Sequence, residues 1–561
     1  MKKINILSVL FLLLFSISCK DSFLEEKPSA FLSTTNAFQT ADDFNASVNG
    51  LYGSVRDEFY SRSDWQPMHY IYRTDLSIEV TVGTNPNLAS DFSPTGGLPN
   101  NHWTQLFKMV ADANTILSRI PTSTMNEKDK VAFEAKGKFF RAFAYRTMAY
   151  LWGGVPLVTQ EIVAEKTDFV RASKKEVLTL VIEDLKFAAA NLPAIATVKD
   201  GEISNLAAQH LLAEVYLADG QFQNAATAAT VVINDPAMGL MTNRFGARST
   251  VTPGDVYWDM FQTKNQNRKS AANKEAIWVM QFETDIPGGG STSTAQAGSF
   301  LMERVHVPLF RDMRVNGVAV FQWPVGDYTG GRGVGFLQPS RYFADSVWQS
   351  DFTNDIRNAN HNFVREFIGT NPASPFFGKV VSTSNPPAGS GITYPSRVFY
   401  PYQSKATTPF NHPVGLYVNP GSSDPIKKYE LKSSAGGTYA DQYISRLAET
   451  YLLRAEANVG LNNLTAAAAD INVVRARAKA SPVLPANVNL DYILDERLRE
   501  LGIEEKRMLT LMRMDKLVDR VTRINPFYGV NMKPNFKLWA IPQGEIERNR
   551  SAVLEQNPGY N

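Results

Sequence analysis

The chain has 561 residues, and its 57 Lys and Arg against 55 Asp and Glu give a formal charge of +2. A hydrophobic fraction of 44% with 20% charged residues is typical of a folded globular protein and argues against a disordered one. The charge balance also argues against a nucleic-acid partner, because phosphate binding needs a surplus of basic groups. The single cysteine, Cys19, excludes an intramolecular disulfide and a cysteine-based zinc site.

The first segment predicts export and a lipid anchor. Lys2 and Lys3 precede an apolar run over residues 4–17, which is short for a membrane span and typical of a signal peptide. The run leads through small residues into Cys19 and resembles a bacterial lipobox, so we expect cleavage after residue 18 and lipidation of Cys19. Several acyl chains would anchor the mature chain to a membrane without spanning it, with residues 19–35 as a tether.

Helical periodicity dominates the first part of the mature chain. Apolar residues recur at three- and four-residue steps and predict helices over about 36–59, 102–120 and 127–152. A loop rich in Gly and Pro separates the first two. Ser173-Lys174-Lys175-Glu176 is typical of a capping box and predicts a helix that runs to about Asn191.

Two later segments match the spacing of tetratricopeptide repeats. Small residues fall at the helix-pairing positions over 206–233 and again over 446–478. Residues 237–437 between them are instead rich in Gly, Pro, Ser and Thr, and irregular chain of this length is uncommon unless it carries function. We therefore predict one mainly α fold over 36–561, in which 36–236 and 438–561 form a tetratricopeptide-like scaffold and 237–437 a loop-rich, ligand-binding insertion.

Several short motifs occur in a fixed order along the chain. They include Asp42-Asp43-Phe44, Trp152-Gly153-Gly154-Val155-Pro156, Arg446-Leu447-Ala448-Glu449 and Leu538-Trp539-Ala540-Ile541-Pro542. In this order, behind a lipoprotein signal, they resemble the SusD/RagB family of nutrient-binding outer-membrane lipoproteins. The resemblance covers nearly the whole mature chain and fades over about 287–437 and in the loop before Trp103.

The resemblance implies a SusD-like fold, lipid-anchored on the outer membrane and facing the cell exterior. It implies carbohydrate binding in nutrient uptake and polysaccharide utilization, in which the protein captures a glycan and delivers it to a SusC-like TonB-dependent barrel transporter. The alternatives are a non-catalytic protein-interaction scaffold and, less favoured, a surface glycoside hydrolase. The identity of the glycan or other nutrient, its affinity and a structural metal ion stay open.

The sequence lacks the motifs of several enzyme classes. It contains no metalloprotease, phosphate-loop or nucleophile-elbow motif, and no two of its six histidines stand four residues apart. Glu496, Arg497, Glu500, Glu504 and Arg507 fall at helical steps that suit ion pairs. We therefore expect no enzyme activity, no cofactor and no catalytic metal.

Sugar binding needs a flat aromatic face for C–H groups and polar groups for the hydroxyls. Trp323, Asp327, Tyr328 and Arg332 lie close together among glycines of the insertion, so we predict that Trp323 and Tyr328 contact the ligand. The alternative for Trp323 and for Phe321 is a place in the core, because alternation from Val318 predicts a strand.

The loop before Trp103 offers a second set of candidate ligand residues. Asn85 and Asp91 lie in this loop, and Trp65 precedes it. Trp103 itself begins an apolar helical stripe and is expected to belong to the scaffold.

Overall fold

The structure is a computed structural model that describes residues 37–60, 66–81, 88–287, 289–293, 300–327 and 330–560. Cys19, Trp65, Asn85 and Tyr328 lie outside this part of the chain. Within it, no helix is both long enough and apolar enough to span a membrane.

The first part of the chain is helical, as predicted. Its helices are α1 (Ala41–Phe59), α2 (Gln66–His69), α3 (Gly97–Arg119), α4 (Glu127–Trp152), α5 (Lys174–Asn191), α6 (Asn205–Ala218) and α7 (Phe222–Ile233). Short helices interrupt the insertion at α8 (Val256–Met260), α9 (Met302–His306), α10 (Arg341–Ala344) and α11 (Pro425–Lys428). The last part contains α12 (Leu447–Gly460), α13 (Leu464–Arg477), α14 (Leu490–Glu500), α15 (Arg507–Arg513), α16 (Leu517–Ile524), α17 (Pro526–Gly529) and α18 (Gln543–Arg548).

Local side chains explain where several helices begin and end. The predicted capping box is confirmed at α5, where Ser173 Oγ accepts from the Glu176 amide at 3.2 Å and Glu176 accepts from the Ser173 amide at 2.8 Å. Helix α4 ends at Gly153, whose φ of +74° suits a residue without a side chain. Helix α3 begins at Gly97, earlier than expected, because Pro99 falls within the first turn, where its missing N–H costs nothing.

The helices pack as one continuous series. Each of α3 to α6 packs on the helix that follows it, and α1 packs on α3. The series continues from α7 to α12 and then to α13. The small residues at the repeat positions, Ala213, Ala225, Ala455 and Ala467, are fully buried between neighbouring helices. The mainly α, tetratricopeptide-like fold is therefore confirmed, and the two sequence-distant parts share one helical stack.

The strands are short and pair antiparallel in twos within the described residues. They are β1 (Ser77–Glu79), β2 (Ala276–Met280), β3 (Arg314–Val315), β4 (Val318–Ala319), β5 (Leu337–Pro339), β6 (Phe363–Val364), β7 (Glu366–Ile368), β8 (Val380–Ser382), β9 (Tyr402–Gln403) and β10 (Gln442–Arg446). The pair β2–β10 matters most, because β10 runs directly into α12. The β2–β10 pair joins the insertion to the scaffold. The sequence did not predict this pairing. The division at residues 237 and 437 stays a prediction.

A network of buried charges lies where α14 meets the insertion. The residues expected to suit ion pairs along this helix do form them, but in the interior and with partners elsewhere in the chain instead of with one another; Arg497, for example, pairs with Glu449. Glu500 contacts Arg357 at 3.0 Å and also pairs with Arg446 and Arg477, and all of these side chains are at most 1% exposed. Burial favours the neutral form of Glu500, yet the three guanidinium groups hold its pKa well below the ordinary value.

The same kind of contact joins the two ends of the chain. Asp75, just before β1, accepts from Arg507 of α15 at 2.7 Å and also pairs with Arg520 of α16. Burial raises the pKa of Asp75, but the two guanidinium groups outweigh it and lower the pKa to about 2. Asp75 is therefore charged at neutral pH and contributes stability that is lost as the pH falls from about 4 towards 2.

We expect Glu500→Gln to lower the free energy of unfolding by about 3–5 kcal/mol, because it leaves three buried guanidinium groups short of a counter-charge. Glu547→Gln, at an exposed position on α18, is the control and should change stability by no more than about 0.5 kcal/mol. Urea unfolding followed by circular dichroism measures both. Equal midpoints for the two variants would contradict a stabilising role for the network.

Candidate functional site

The structure separates the two aromatic residues that the sequence left undecided. Phe321 is 2% exposed and packs edge-on against Phe310, with ring centroids 5.2 Å apart, so its core position is confirmed. Trp323 is 58% exposed, and the core alternative is wrong for this residue. Strand β4 ends at Ala319, so the two-residue period that would have placed both rings on one face is not kept.

One polar group lies against the exposed indole, and another lies next to it along the chain. The Arg311 guanidinium carbon lies 5.2 Å from the centre of the Trp323 ring, within cation–π range. Next to Trp323, the Gln322 amide donates to Glu430 Oε1 at 3.2 Å. These four residues, Arg311, Gln322, Trp323 and Glu430, are called the Trp323 platform below. They combine an apolar ring face with donors and acceptors, which is the chemistry that a hydrated sugar ring requires.

Asp327 supports the loop from beneath and does not face solvent. Its side chain is fully buried, contrary to the expectation that it meets a ligand at the surface. Asp327 Oδ1 lies 2.7 Å from His412 Nδ1, the Tyr417 hydroxyl donates to its carboxylate, and its amide donates to the Tyr429 carbonyl at 2.9 Å. A buried charge needs such partners, which explains why the residue folds inward.

His412 connects two carboxylates of the insertion. It lies 2.5 Å from Glu303 Oε2 and 2.7 Å from Asp327 Oδ1, and Thr407 also donates to Glu303 at 2.6 Å. Burial lowers the pKa of His412, but the two carboxylates outweigh it and raise the pKa well above the ordinary value. His412 is therefore an imidazolium at neutral pH. It links the segment that contains Glu303 to the loop that contains Asp327 through two ion pairs.

Arg332 also holds the loop. Its Nη1 donates to the Ser433 carbonyl at 2.6 Å and its amide donates to Glu303 Oε1 at 2.7 Å. Burial lowers the pKa of Arg332, and the nearby positive charges of Arg311 and Arg304 lower it further. Arg332 thus lies in a basic part of the surface beside the platform, with its guanidinium already committed to a main-chain carbonyl.

Of the second set of candidate ligand residues, Trp65, Asn85 and Asp91, only Asp91 lies in the described part of the chain. Asp91 pairs with Arg73, whose guanidinium carbon lies 3.5 Å from the centre of the Tyr72 ring. Trp103 is buried, as the scaffold interpretation predicted. No hydrogen bond, ion pair or ring contact between described residues joins Asp91 to the Trp323 platform.

A cleft that the sequence did not reveal opens next to His412. It has a volume of about 810 Å³ and is lined by residues of loops 263–270, 281–287 and 411–414 and by Gly289, with Arg56 from α1 and Asp441 just before β10. Loop 411–414 belongs both to the cleft and, through His412, to the support of Asp327. Its lining residues are too far apart in sequence for any local pattern to have indicated the cleft.

Among the described residues, no group of His, Cys, Asp or Glu side chains has the arrangement of a metal site. The two carboxylates that meet at His412, Glu303 and Asp327, are both fully buried. They therefore have no access to the glycosidic bond of a dissolved substrate.

We expect His412→Gln to lower the free energy of unfolding by about 3–5 kcal/mol, because two buried carboxylates lose their shared cation. Hydrogen exchange should speed up at the amides of 321–327 and 330–335, which His412 holds through Asp327 and Glu303. The amides of α6 and α7 serve as the internal control. Unchanged exchange at the loop, with a stable fold, would contradict the pinning role.

Profiles of known families match both parts of the chain. A SusD family profile matches residues 274–560, and a profile described as starch-binding associating with outer membrane matches residues 22–217. SusD-like protein P25 of Formosa agariphila is 25% identical over 599 aligned positions, covering 100% of both chains. SusD-like protein P2 of the same organism is 27% identical over 590 positions, also with 100% coverage of both.

Solved structures show the same fold. A laminarin-binding SusD-like protein is 21% identical, covers 93% of this chain and 100% of its own, and superposes with a TM-score of 0.63. Surface glycan-binding protein A from Bacteroides thetaiotaomicron, solved in complex with laminarihexaose, is 18% identical, covers 92% and 99%, and gives 0.65. The family profile, the full-length relatives and the shared fold agree, and the chain belongs to the SusD family.

Proposed function

We propose that the protein is a cell-surface glycan-binding lipoprotein that captures its ligand at the Trp323 platform. It delivers the ligand to a SusC-like TonB-dependent barrel transporter in the outer membrane. The exposed indole of Trp323, with the Arg311 guanidinium beside it, is the observation that carries this proposal. Relatives that are named for laminarin binding and solved with laminarihexaose support a glycan ligand.

The Trp323 platform suits reversible ligand binding better than catalysis. The loop that carries the ring is held by the buried Asp327–His412–Glu303 cluster, and the Arg311 guanidinium lies over the ring, so little conformational entropy is lost when a sugar stacks on it. One exposed ring with a few polar groups gives weak, reversible binding, which suits a protein that passes its ligand on. Structures that share this fold are described as glycan-binding proteins, and we propose on this basis that the protein is not an enzyme.

The repeat-like helices are a weaker candidate for the binding surface. Their small residues are used to pack helix on helix, as the full burial of Ala455 and Ala467 shows. The protein-interaction scaffold is therefore less favoured than glycan capture.

We propose that Cys19 carries the lipid anchor and that the protein faces the cell exterior. Cys19 lies outside the described residues, and the support is the predicted signal peptide, the small residues before Cys19 and the family profile that names association with the outer membrane.

Trp323→Ala should weaken glycan binding about fivefold or more, which is about 1 kcal/mol, because the stacking surface is removed. Laminarihexaose is the first probe, followed by the oligosaccharides that give the highest signals on a glycan array. Calorimetry measures the affinity, and the melting temperature should stay nearly constant since the indole is exposed.

Phe352→Ala is the matched control for this change. Phe352 is 42% exposed, and the Arg365 guanidinium carbon lies 5.2 Å from its ring, the same distance as in the Arg311–Trp323 pair. The control should bind as the wild type does. If Trp323→Ala also binds every array ligand as the wild type does, the platform is not the recognition surface.

Cys19→Ala should release the protein from the membrane fraction, because about 0.8 kcal/mol per buried methylene is lost with the acyl chains. Cell fractionation with antibody detection measures the distribution. A variant that stays with the membrane after a high-salt wash would show that lipidation of Cys19 is not the anchor.

A further inference from the structure

Asp441, which is half-buried, differs from the fully buried carboxylates of the charge networks. Asp75, Glu496 and Glu500 each meet at least two guanidinium groups. Asp441 accepts instead from two neutral donors, the Asn267 side-chain amide at 2.6 Å and the Phe282 backbone amide at 2.7 Å. No ion pair to Asp441 is formed within the described part of the chain.

The surroundings of Asp441 are unfavourable for its charge. Burial raises its pKa to about 6, and the negative charges of Glu283 and Asp200 add to the effect, although the two hydrogen bonds oppose it. A partly buried carboxylate in a negative environment gains more from an incoming cation than a fully exposed one does.

The cations that line the same cleft do not pair with Asp441. Arg56 donates to the Gln281 carbonyl at 3.2 Å and stacks over the Phe282 ring. His412 is held between its two carboxylates, and Lys264 is exposed. Among the described residues, no cation therefore supplies a counter-charge for Asp441.

The cleft above Asp441 is large enough for several sugar rings. Its volume of about 810 Å³ falls in the range of small-molecule sites. Ile286 and Val414 expose aliphatic surface on its walls, and Asn267 and Gln281 add amide groups. Each carboxylate oxygen of Asp441 accepts one bond from the protein and retains capacity for another.

We propose that Asp441 is the acidic floor of a subsite for a primary ammonium group on the ligand, and that the glycan class includes unacetylated amino sugars. This inference rests on the proposed glycan-binding function. The ammonium forms a charge-assisted hydrogen bond to Asp441 and supplies the missing positive charge. An N-acetylated sugar brings a neutral amide instead, which leaves the carboxylate uncompensated.

Calorimetry with a glucosamine hexamer, its N-acetylated counterpart and laminarihexaose tests the proposal at about pH 6.5. The wild type should bind the glucosamine hexamer about tenfold more tightly than the N-acetylated one, the size of one hydrogen bond to a charged group. Asp441→Asn, which keeps the shape of the side chain, should remove this preference. Asp168→Asn, at an exposed position away from the cleft, should bind as the wild type does.

A change of pH tests the wild-type chain without any substitution. With a pKa of about 6, the ionised fraction of Asp441 falls roughly eightfold between pH 6.5 and pH 5.0. The sugar amine becomes more fully charged over the same range, so weaker binding at pH 5.0 reports the carboxylate. This arm keeps the proposal testable if Asp441→Asn fails to fold.

Three results would overturn the proposal: equal affinities for the two hexamers, a glucosamine preference that survives Asp441→Asn, or tight binding of trilysine without binding of the glucosamine hexamer. The last would assign the ammonium to a peptide instead of a sugar. Laminarihexaose separates this proposal from the platform, because its affinity should respond to Trp323→Ala and not to Asp441→Asn.

Discussion

The buried network of Glu500 with Arg357, Arg446 and Arg477 is the contact on which the rest of the structure depends. Its members come from the insertion, from β10, from α13 and from α14. Each charge is removed from water, so each tolerates only an arrangement that keeps its partners in place. The network therefore fixes how the loop-rich insertion sits on the helical stack, even where it adds little net stability.

Strand β10 connects the buried network to the cleft at the surface. Arg446 at one end of the strand is held in the network, and Asp441 precedes the other end, at the floor of the cleft. Pairing of β10 with β2 places the Phe282 amide against Asp441. A second cluster of buried charges, at His412, then connects the cleft to the loop that presents Trp323. Buried charges thus fix the positions of Asp441 and of the Trp323 loop within long irregular segments.

Much of the helical scaffold follows from local patterns in the sequence. The capping box at Ser173, the ends of α4 and the two repeat-like helix pairs depend on residues within a few turns of one another, and periodicity indicates them. The pairing of β2 with β10 depends on residues more than 150 positions apart and leaves no local signal. The cleft and the burial of Asp327 also depend on residues far apart in sequence, so no local pattern indicates them. Trp323 was a candidate because glycines and polar residues lie near it in the sequence, but its exposure could be established only from the fold.

The central claim is that a sugar ring stacks on Trp323. A crystal structure of the protein soaked with laminarihexaose, or with the oligosaccharide that an array selects, tests it most directly. We expect a pyranose ring parallel to the Trp323 indole, with its hydroxyls within hydrogen-bonding distance of the Arg311, Gln322 or Glu430 side chain. A bound oligosaccharide that leaves the Trp323 ring in solvent and contacts another surface would contradict it.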